Sequence, residues 1–532
     1  MRKIVSGIVF LLASVMMLHA QNPDEILFRE CTRTLSSDEF GGRQPLSSYE
    51  KLTLDYIAAK YKESGLEPAA DGSYFQKVPM QSIRGQVKDN AMLISGKKGN
   101  LTLKGTDEFI IWSQSPENKI KISKRDFVFV GFGINAPEFG WNDYEGLDVK
   151  GKIVLIRVND PGYYDDNLFN GKNMTYYGRW TYKFEEANRQ GAAGALVIHE
   201  TAPASYDWSV VRNSWAGKSI SLYSEEKTMS FQGWITNDMA KQVFEKAGRS
   251  YEESVTAAQK KGFKSYSLGS KVSLELINDV KLGESANVAG VFRGTDLKDE
   301  YIVYTAHWDH FGVGIPIDND SIYNGAVDNA TGVAALIVIA NRLNQLPVRP
   351  RRSILFVAVT GEESGLLGSE YYTAHPLVPL KKTVANLNMD AYGPKGHARD
   401  VILSGAGDAE TDKYVIEAAA TQGKIVKPGA KGTSGGYYRS DHYNFAKVGV
   451  PVILARSGGE YIDPQAEADK RAKHPSKNTY HQPSDEYQSW WDFSGTMDDI
   501  YLYYGIGLRL ANDSYFPRWN EGIIYKEIRE KN

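Results

Sequence analysis

The segment 301–392 most constrains what this chain can fold into, because it contains three apolar runs that each end at potential metal ligands. The runs are 301–306, which leads into His307; 353–360, which leads into Glu362 and Glu363; and 383–389, which leads into Asp390. Short apolar runs separated by a helical pattern are typical of buried parallel strands, whose ligands lie beyond their carboxyl ends. The segment therefore predicts a doubly wound α/β fold with a mostly parallel sheet and a ligand site at one edge.

Two further positions complete a set of metal donors. Asp328 directly precedes a helical pattern between the first two runs, and His481 lies in a polar, proline-containing loop after another predicted strand, 450–455. Imidazole and carboxylate groups together suit zinc or a similar divalent ion. Two histidines and three carboxylates serve two metals if one carboxylate bridges, which leaves Glu362 free to accept a proton from water.

Six short motifs in this region resemble those of peptidase family 28, the co-catalytic di-zinc aminopeptidases and their carboxypeptidase relatives. They are HxDH at 307–310, GAxDNxxG at 325–332, the glutamate pair at 362–363, NxD at 388–390, SDH at 440–442 and YHxPxD at 480–485. The resemblance implies an enzyme that hydrolyses peptides with two zinc ions per chain.

The resemblance also implies a role for each matched residue. His307 and Asp390 would hold one zinc, Glu363 and His481 the other, and Asp328 would bridge them, with Glu362 as the general base. The hydroxyl of Tyr437 would support the oxyanion, and Asp309 would accept the second imidazole N–H of His307. For Asp485, two interpretations stay open: it caps its own turn, or it supports the ligands from behind.

The predicted organisation is an export signal followed by a catalytic domain with one insertion. Residues 1–20 contain two basic residues and then an apolar run, typical of a secretory signal, and that run is too short to span a membrane. We therefore expect an exported protein, periplasmic or extracellular, with no integral membrane span after signal removal. Residues 21–103 and 269–532 form the predicted catalytic domain, and the β-rich segment 104–268 resembles an inserted protease-associated domain.

Composition narrows the partners. The chain has 532 residues, and 42% of them are hydrophobic, which is sufficient for large cores. Its formal net charge is −3, and the sequence contains no basic tract that would bind nucleic acid. Its single cysteine, Cys31, excludes an internal disulfide. We expect peptide substrates as the partners.

An early helix is predicted over 47–65, where Ser47 and Glu50 match a capping box and Gly65 matches a helix stop. The preceding segment 35–43 resembles the family's amino-terminal signature, and we expect it to join this helix to the sheet. The remaining histidines carry no ligand role: His310 and His442 are predicted to line the site, and His199, His375, His397 and His474 to be structural or solvated.

The end of the peptide that is cleaved is the main alternative. A free amino terminus is a cation, which Glu362 and nearby carbonyl groups can accept, and the Gly435–Gly436 pair with its tyrosines favours apolar amino-terminal residues. We therefore expect an aminopeptidase. A carboxypeptidase of the glutamate carboxypeptidase type needs fixed cations, for which Arg439 and Arg456 are the candidates. A glutaminyl cyclase-like transferase with one metal and a receptor-like relative without activity are weaker alternatives.

Overall fold

The computed structural model describes residues 22–215, 217–226, 228–430, 432–473 and 479–531. The predicted export signal at 1–20 and the histidine at position 474 lie outside these residues.

The chain alternates strands and helices along most of its length. The strands are β1 Glu67–Pro68, β2 Phe75–Val87, β3 Ala91–Gly96, β4 Gly99–Lys104, β5 Phe109–Trp112, β6 Lys119–Phe129, β7 Asn135–Ala136, β8 Trp141–Asn142, β9 Ile153–Arg157, β10 Gly194–His199, β11 Lys218–Leu222, β12 Phe231–Thr236, β13 Tyr266–Phe292, β14 Leu297–His307, β15 Gly312–Ile317, β16 Asp320–Tyr323, β17 Arg352–Val359, β18 Thr383–Asn388, β19 Asp400–Ser404, β20 Ile425–Pro428 and β21 Val452–Ser457. The helices are α1 Pro23–Leu35, α2 Glu50–Glu63, α3 Trp180–Arg189, α4 Thr201–Ala204, α5 Trp208–Trp215, α6 Asn237–Ala247, α7 Tyr251–Ala258, α8 Thr331–Asn344, α9 Leu367–Ala374, α10 Asp412–Thr421, α11 His442–Lys447, α12 Pro464–Lys473, α13 Ser494–Asn512 and α14 Ile524–Lys531.

Four parallel strands form the centre of the sheet that carries the predicted ligands. Strand β14 pairs in parallel with β17 on one side and β18 on the other, and β18 continues in parallel to β21. The antiparallel strands β13 and β19 flank this group. Strands β14, β17 and β18 cover the three apolar runs, and β17 and β18 are buried along their whole length, as expected of a sheet covered on both faces. The predicted α/β fold with a mostly parallel sheet is confirmed.

The segment that contains the predicted insertion has its own hydrophobic core. Strand β13 is 27 residues long; its carboxyl-terminal half pairs with β17 and its amino-terminal half pairs with β6. Beyond β6, the strands β9, β10 and β12 follow in parallel order. The buried residues of this core run from Met92 to Leu276, which is wider than the predicted insertion at 104–268. The assignment of this part as a protease-associated domain stays a prediction.

One apolar helical segment has the length of a membrane span. Within the described residues, Ala326–Asn344 has the length and composition to cross a membrane, but 83% of it is buried inside the protein. Its side chains belong to the largest hydrophobic core, together with those of β14 and β17. This burial is what a central helix packed on a sheet requires.

The start of the early helix differs from its prediction. Helix α2 begins at Glu50, three residues after the predicted cap Ser47. The Glu50 carboxylate accepts the N–H of Leu46 at 3.0 Å and the hydroxyl of Ser285. Glu50 therefore joins the helix to β13, because a bond to a buried strand residue replaces the local capping box.

Candidate metal centre

The parallel register brings the predicted ligands to one edge of the sheet. His307 is the last residue of β14 and lies opposite Val359, the last residue of β17, so the glutamate pair follows immediately beyond it. On the other side, Thr305 lies opposite Asn388, the last residue of β18, which places Asp390 just beyond the same edge. The carboxyl ends of parallel strands thus meet where the sequence predicted.

Five side chains converge there, and we refer to them as the donor cluster: His307, Asp328, Glu363, Asp390 and His481. His307 Nε2 lies 3.2 Å from Asp328 Oδ1 and 3.3 Å from Asp390 Oδ1. His481 Nε2 lies 3.5 Å from Asp328 Oδ2 and 3.2 Å from Glu363 Oε2. Each oxygen of Asp328 therefore faces a different histidine, which is the arrangement of a bridging carboxylate.

The donor cluster fits divalent ions chemically. Potential ligand atoms of His307, Asp328 and Glu363 all lie within 4.8 Å of one another, as do those of His307, Glu362 and Asp390. His481 Nε2 is buried among carboxylates, yet none of the described residues gives it a hydrogen bond of good geometry. A nitrogen aimed at two carboxylates without bonding either is what a coordination site for zinc needs.

The two adjacent glutamates have opposite electrostatic environments. Burial, reinforced by the negative charges of Glu363 and Asp390, raises the pKa of Glu362 well above its ordinary value, although His307 opposes this. Burial alone would also raise the pKa of Glu363, but His481 and His310 lower it to about 2. The two adjacent carboxylates therefore have pKa values shifted in opposite directions.

Asp485 supports the loop that carries Asp328. Its two carboxylate oxygens accept the N–H of Val327 at 3.1 Å, and one of them also accepts the N–H of Asp328 at 3.1 Å. Its backbone oxygen accepts the N–H of Ala326 at 2.9 Å. Of the two interpretations left open by the sequence, this geometry favours support from behind the ligands.

The carboxylate of Asp309 accepts hydrogen bonds from other groups than the predicted imidazole of His307. The Nδ1 of His307 faces the backbone oxygen of Asp309 at 3.2 Å, whereas the Asp309 carboxylate lies 3.9 Å away. That carboxylate instead accepts the backbone N–H groups of Glu362 at 3.0 Å and Glu363 at 3.3 Å. The predicted carboxylate–imidazole bond is therefore wrong, because the tight turn after β17 presents two N–H groups that need an acceptor.

Three residues support the donor cluster in ways that the sequence did not predict. Arg43 is buried and donates to the backbone oxygens of Trp308, Leu35, Asn324 and Gly325, which ties the loop after His307 to the loop before Asp328. His310 Nδ1 lies 2.7 Å from Glu363 Oε1, and Ser440 donates to Asp390 Oδ2 at 2.5 Å. His310 and Ser440 belong to matched motifs, so the signal was present, but their partners could not be read from spacing.

The ring of Tyr437 packs edge-on against His442, with centroids 5.0 Å apart, and its role at the oxyanion stays a prediction. Its buried hydroxyl has no hydrogen-bond partner among the described residues, and its pKa is raised by burial and by Tyr525 and Asp408. Tyr480 is closer to the cluster. Its ring stacks on His481 at 3.7 Å, and burial together with Asp328 and the other site carboxylates raises its pKa.

Two arginines lie close to each other, and neither forms an ion pair with a carboxylate of the described residues. Arg179 is 8% exposed, its Nε has no hydrogen-bond partner among the described residues, and burial and the charge of Arg439 lower its pKa to about 10. Arg439 donates to the backbone oxygen of Ser434 at 2.8 Å. The approach of Arg179 requires glycine at position 435, where a Cβ would lie 2.9 Å from Arg179 Cδ. Within the described residues, the pair forms a positively charged region without an ion-pair partner.

The other histidines of the described residues are not part of the donor cluster, although Asp390 interacts electrostatically with His442. His199 bonds the backbone oxygen of Tyr206 at 3.0 Å, His375 stacks on Tyr371, and His397 pairs with Asp498 on the surface. His442 is fully buried against the ring of Tyr437. Arg456, one of the predicted carboxylate-binding candidates, is exposed on β21.

Comparison with known proteins identifies the same family as the motifs. The sequence model described as peptidase family M28 matches residues 287–505, so the resemblance predicted from the motifs is confirmed over that segment. The chain is 37% identical over 131 residues to the aminopeptidase NAALADL1 of Mus musculus, which is 24% of this chain and 16% of that protein. It is 25% identical over 313 residues to the glutamate carboxypeptidase 2 homolog of Caenorhabditis briggsae, which is 50% of this chain and 37% of that protein. The chain thus spans well under half the length of these relatives.

A solved structure shares the fold over nearly the whole chain. The aminopeptidase from Aneurinibacillus sp. strain AM-1 superposes with a TM-score of 0.51 at 19% identity, covering 94% of this chain and 95% of that one.

Proposed function

Because residues 287–505 match peptidase family M28, we propose that this chain is a zinc-dependent exopeptidase that holds two ions and hydrolyses a terminal peptide bond. The observation that carries the proposal is the position of Asp328 between the two histidines, one oxygen toward each. On one side would lie His307 and Asp390, and on the other Glu363 and His481.

Zinc bound to the donor cluster would polarise the scissile carbonyl and lower the pKa of a water. Glu362 is the general base: its raised pKa makes its carboxylate a better proton acceptor than an ordinary glutamate. It takes the proton of the attacking water and returns it to the leaving amine. The Asp309 carboxylate, bonded to the N–H groups of Glu362 and Glu363, holds the base and its neighbour in fixed relative positions.

We propose the amino end of the peptide as the site of cleavage. The unbound carboxylate of Glu362 and the acidic surroundings of the donor cluster suit a cationic amino terminus. The names of the mouse relative and of the Aneurinibacillus structure support the same direction.

A second candidate, carboxypeptidase activity, is favoured by one observation. The buried guanidinium of Arg179, with Arg439 beside it, has no carboxylate partner among the described residues. A buried charge without a partner is costly unless a ligand compensates it, and a planar guanidinium binds a carboxylate through two parallel hydrogen bonds. A substrate carboxyl terminus would supply that group.

One experiment separates the two directions. Purified zinc-loaded protein is incubated with a peptide library in free, N-acetylated and C-amidated forms, and the products are read by mass spectrometry. An aminopeptidase fails on N-acetylated peptides and tolerates C-amidation; the opposite pattern supports the carboxypeptidase. Intact peptides in all three forms would refute the exopeptidase proposal.

Variants at the arginine sharpen the result. In a carboxypeptidase, Arg179→Met should raise KM for free carboxyl termini by roughly 10- to 100-fold, the value of a charge-assisted bond. Arg509→Met removes a surface guanidinium that pairs with the exposed Glu417; it is the control and should behave as the wild type.

A further inference from the structure

A cavity of about 410 Å³ opens beside the donor cluster, and neither the metal chemistry nor the cleavage direction uses it. One wall is formed by the turn after β17, including Glu363 and Gly365, and by the first turns of α9. The opposite wall is formed by residues of β5, α3 and α5. The volume lies in the range of sites that enclose a small ligand or a long side chain.

The opposite wall is an aromatic cluster of Trp112, Trp180, Phe184 and Trp215. The rings of Trp112 and Trp215 are stacked with centroids 5.5 Å apart, and Trp180 meets Trp215 edge-on at 5.0 Å. Phe184 closes the group at 5.6 Å from Trp112. Tryptophan faces attract cations through their ring quadrupole, which makes such a wall suitable for an ammonium or guanidinium group.

Glu370 supplies a solvent-exposed carboxylate at the same cavity. This carboxylate forms no hydrogen bond or ion pair with the described residues. Desolvation by the protein around it and the charge of Glu185 raise its pKa, and Lys447 opposes this. Lys447 pairs instead with Glu185, at 3.7 Å.

The other charged residues of the cavity already have partners. Glu363 faces His310 at 2.7 Å and His481 at 3.2 Å. Glu185 accepts the hydroxyl of Tyr176 at 2.5 Å in addition to facing Lys447. Lys218 donates to Gln44 Oε1 at 3.0 Å, and its pKa is lowered by burial and by Arg84. Glu370 is therefore the charge that a ligand in this cavity would meet unpaired.

We propose that the cavity binds a lysine or arginine side chain of the substrate, in one of the two residues that flank the scissile bond. Glu370 is the anionic partner of that side chain, and the aromatic cluster is its wall. This inference rests on the proposed exopeptidase function and names a substrate class for it: peptides with a basic residue at the cleaved end.

The test compares arginine with citrulline, which has nearly the same shape and no charge. Matched peptides carry one or the other on either side of the terminal bond, and kcat/KM is measured for each. We expect the wild type to prefer arginine by roughly 10- to 100-fold. Glu370→Gln should reduce this ratio several-fold, to the preference that the aromatic cluster alone supplies, and Glu370→Lys should instead favour a glutamate side chain.

Two controls make the outcome decisive. Glu417→Gln removes a surface carboxylate that pairs with Arg509, and it should retain the arginine preference. Binding of the same peptides to zinc-loaded Glu362→Gln protein is measured by calorimetry, so the preference is read without turnover. Equal binding and cleavage of arginine and citrulline peptides, or an unchanged ratio in Glu370→Gln, overturns the proposed subsite. Selective binding without hydrolysis by the wild type would retain the subsite and refute the exopeptidase function.

Discussion

Replacing Asp485 with asparagine tests whether a residue that is not a ligand controls metal affinity. The Asp485 carboxylate makes three contacts of 3.1 Å with the N–H groups of Val327 and Asp328. An asparagine side chain has one acceptor oxygen, so at least one charge-assisted bond is lost and an NH₂ group faces a backbone N–H. Such a bond is worth about 1.5–3 kcal/mol, and the loop it holds presents the bridging carboxylate.

The metal-bound state requires Asp328 to be held in place, and the metal-free state does not. If most of this energy is lost in the metal-bound state, zinc affinity falls by roughly 10- to 150-fold. The assay is competition with a chromogenic chelator at constant pH, together with thermal unfolding of metal-free and zinc-loaded protein. Zinc should raise the melting temperature less in the variant than in the wild type.

The matched control is Asp400→Asn. Asp400 is also a buried carboxylate that accepts a backbone N–H, that of Glu460 at 2.9 Å, but it lies on β19 apart from the donor cluster. This control should lose stability and keep its zinc affinity. A folded Asp485→Asn protein that binds zinc within about twofold of the wild type would refute the reasoning, since second-layer partners typically change affinity by about 10- to 100-fold.

The remaining predictions concern the metals, the glutamate pair and the cysteine. Elemental analysis should find two zinc ions per chain, and chelation should abolish activity and lower the melting temperature; full activity with one ion would remove the bridging role of Asp328 and favour the cyclase-like alternative. Glu362→Gln should keep zinc and lose turnover by about 10²–10⁴-fold, whereas Glu363→Gln should lose zinc; exchanged phenotypes would reverse the two assignments. Cys31 is fully buried and its pKa is raised to about 11 by burial, so a thiol reagent at pH 8 should label it only after unfolding; rapid labelling of native protein would contradict this burial.

Much of the candidate metal centre could be predicted because several of its donor residues directly follow strands in the sequence. His307, the glutamate pair and Asp390 each follow a strand within a few residues, and parallel strands bring their carboxyl ends together whatever the connections contain. The sequence also predicted the division between general base and ligand, first from the number of donors and then from the resemblance. In the structure, the pKa of Glu363 is lowered and that of Glu362 is raised, so the two adjacent carboxylates have different surroundings.

The start of helix α2 shows that a tertiary contact can override a local sequence pattern. The Ser47 and Glu50 pattern is a valid local signal, yet Glu50 bonds Ser285, which lies 235 residues away. A buried partner on β13 outweighs a capping bond that water could replace.

The sequence by itself determined the class of fold and predicted the edge of the sheet where the candidate ligands meet, because strand ends and donor residues are neighbours in the chain. Only the tertiary structure decided which groups support those residues and which side chains line the cavity beside them. Asp485 reaches Asp328 across 157 residues, and Glu370 meets the aromatic cluster at one cavity. Such contacts depend on how loops that are far apart in the sequence pack together, and no periodicity or spacing in the sequence indicates them.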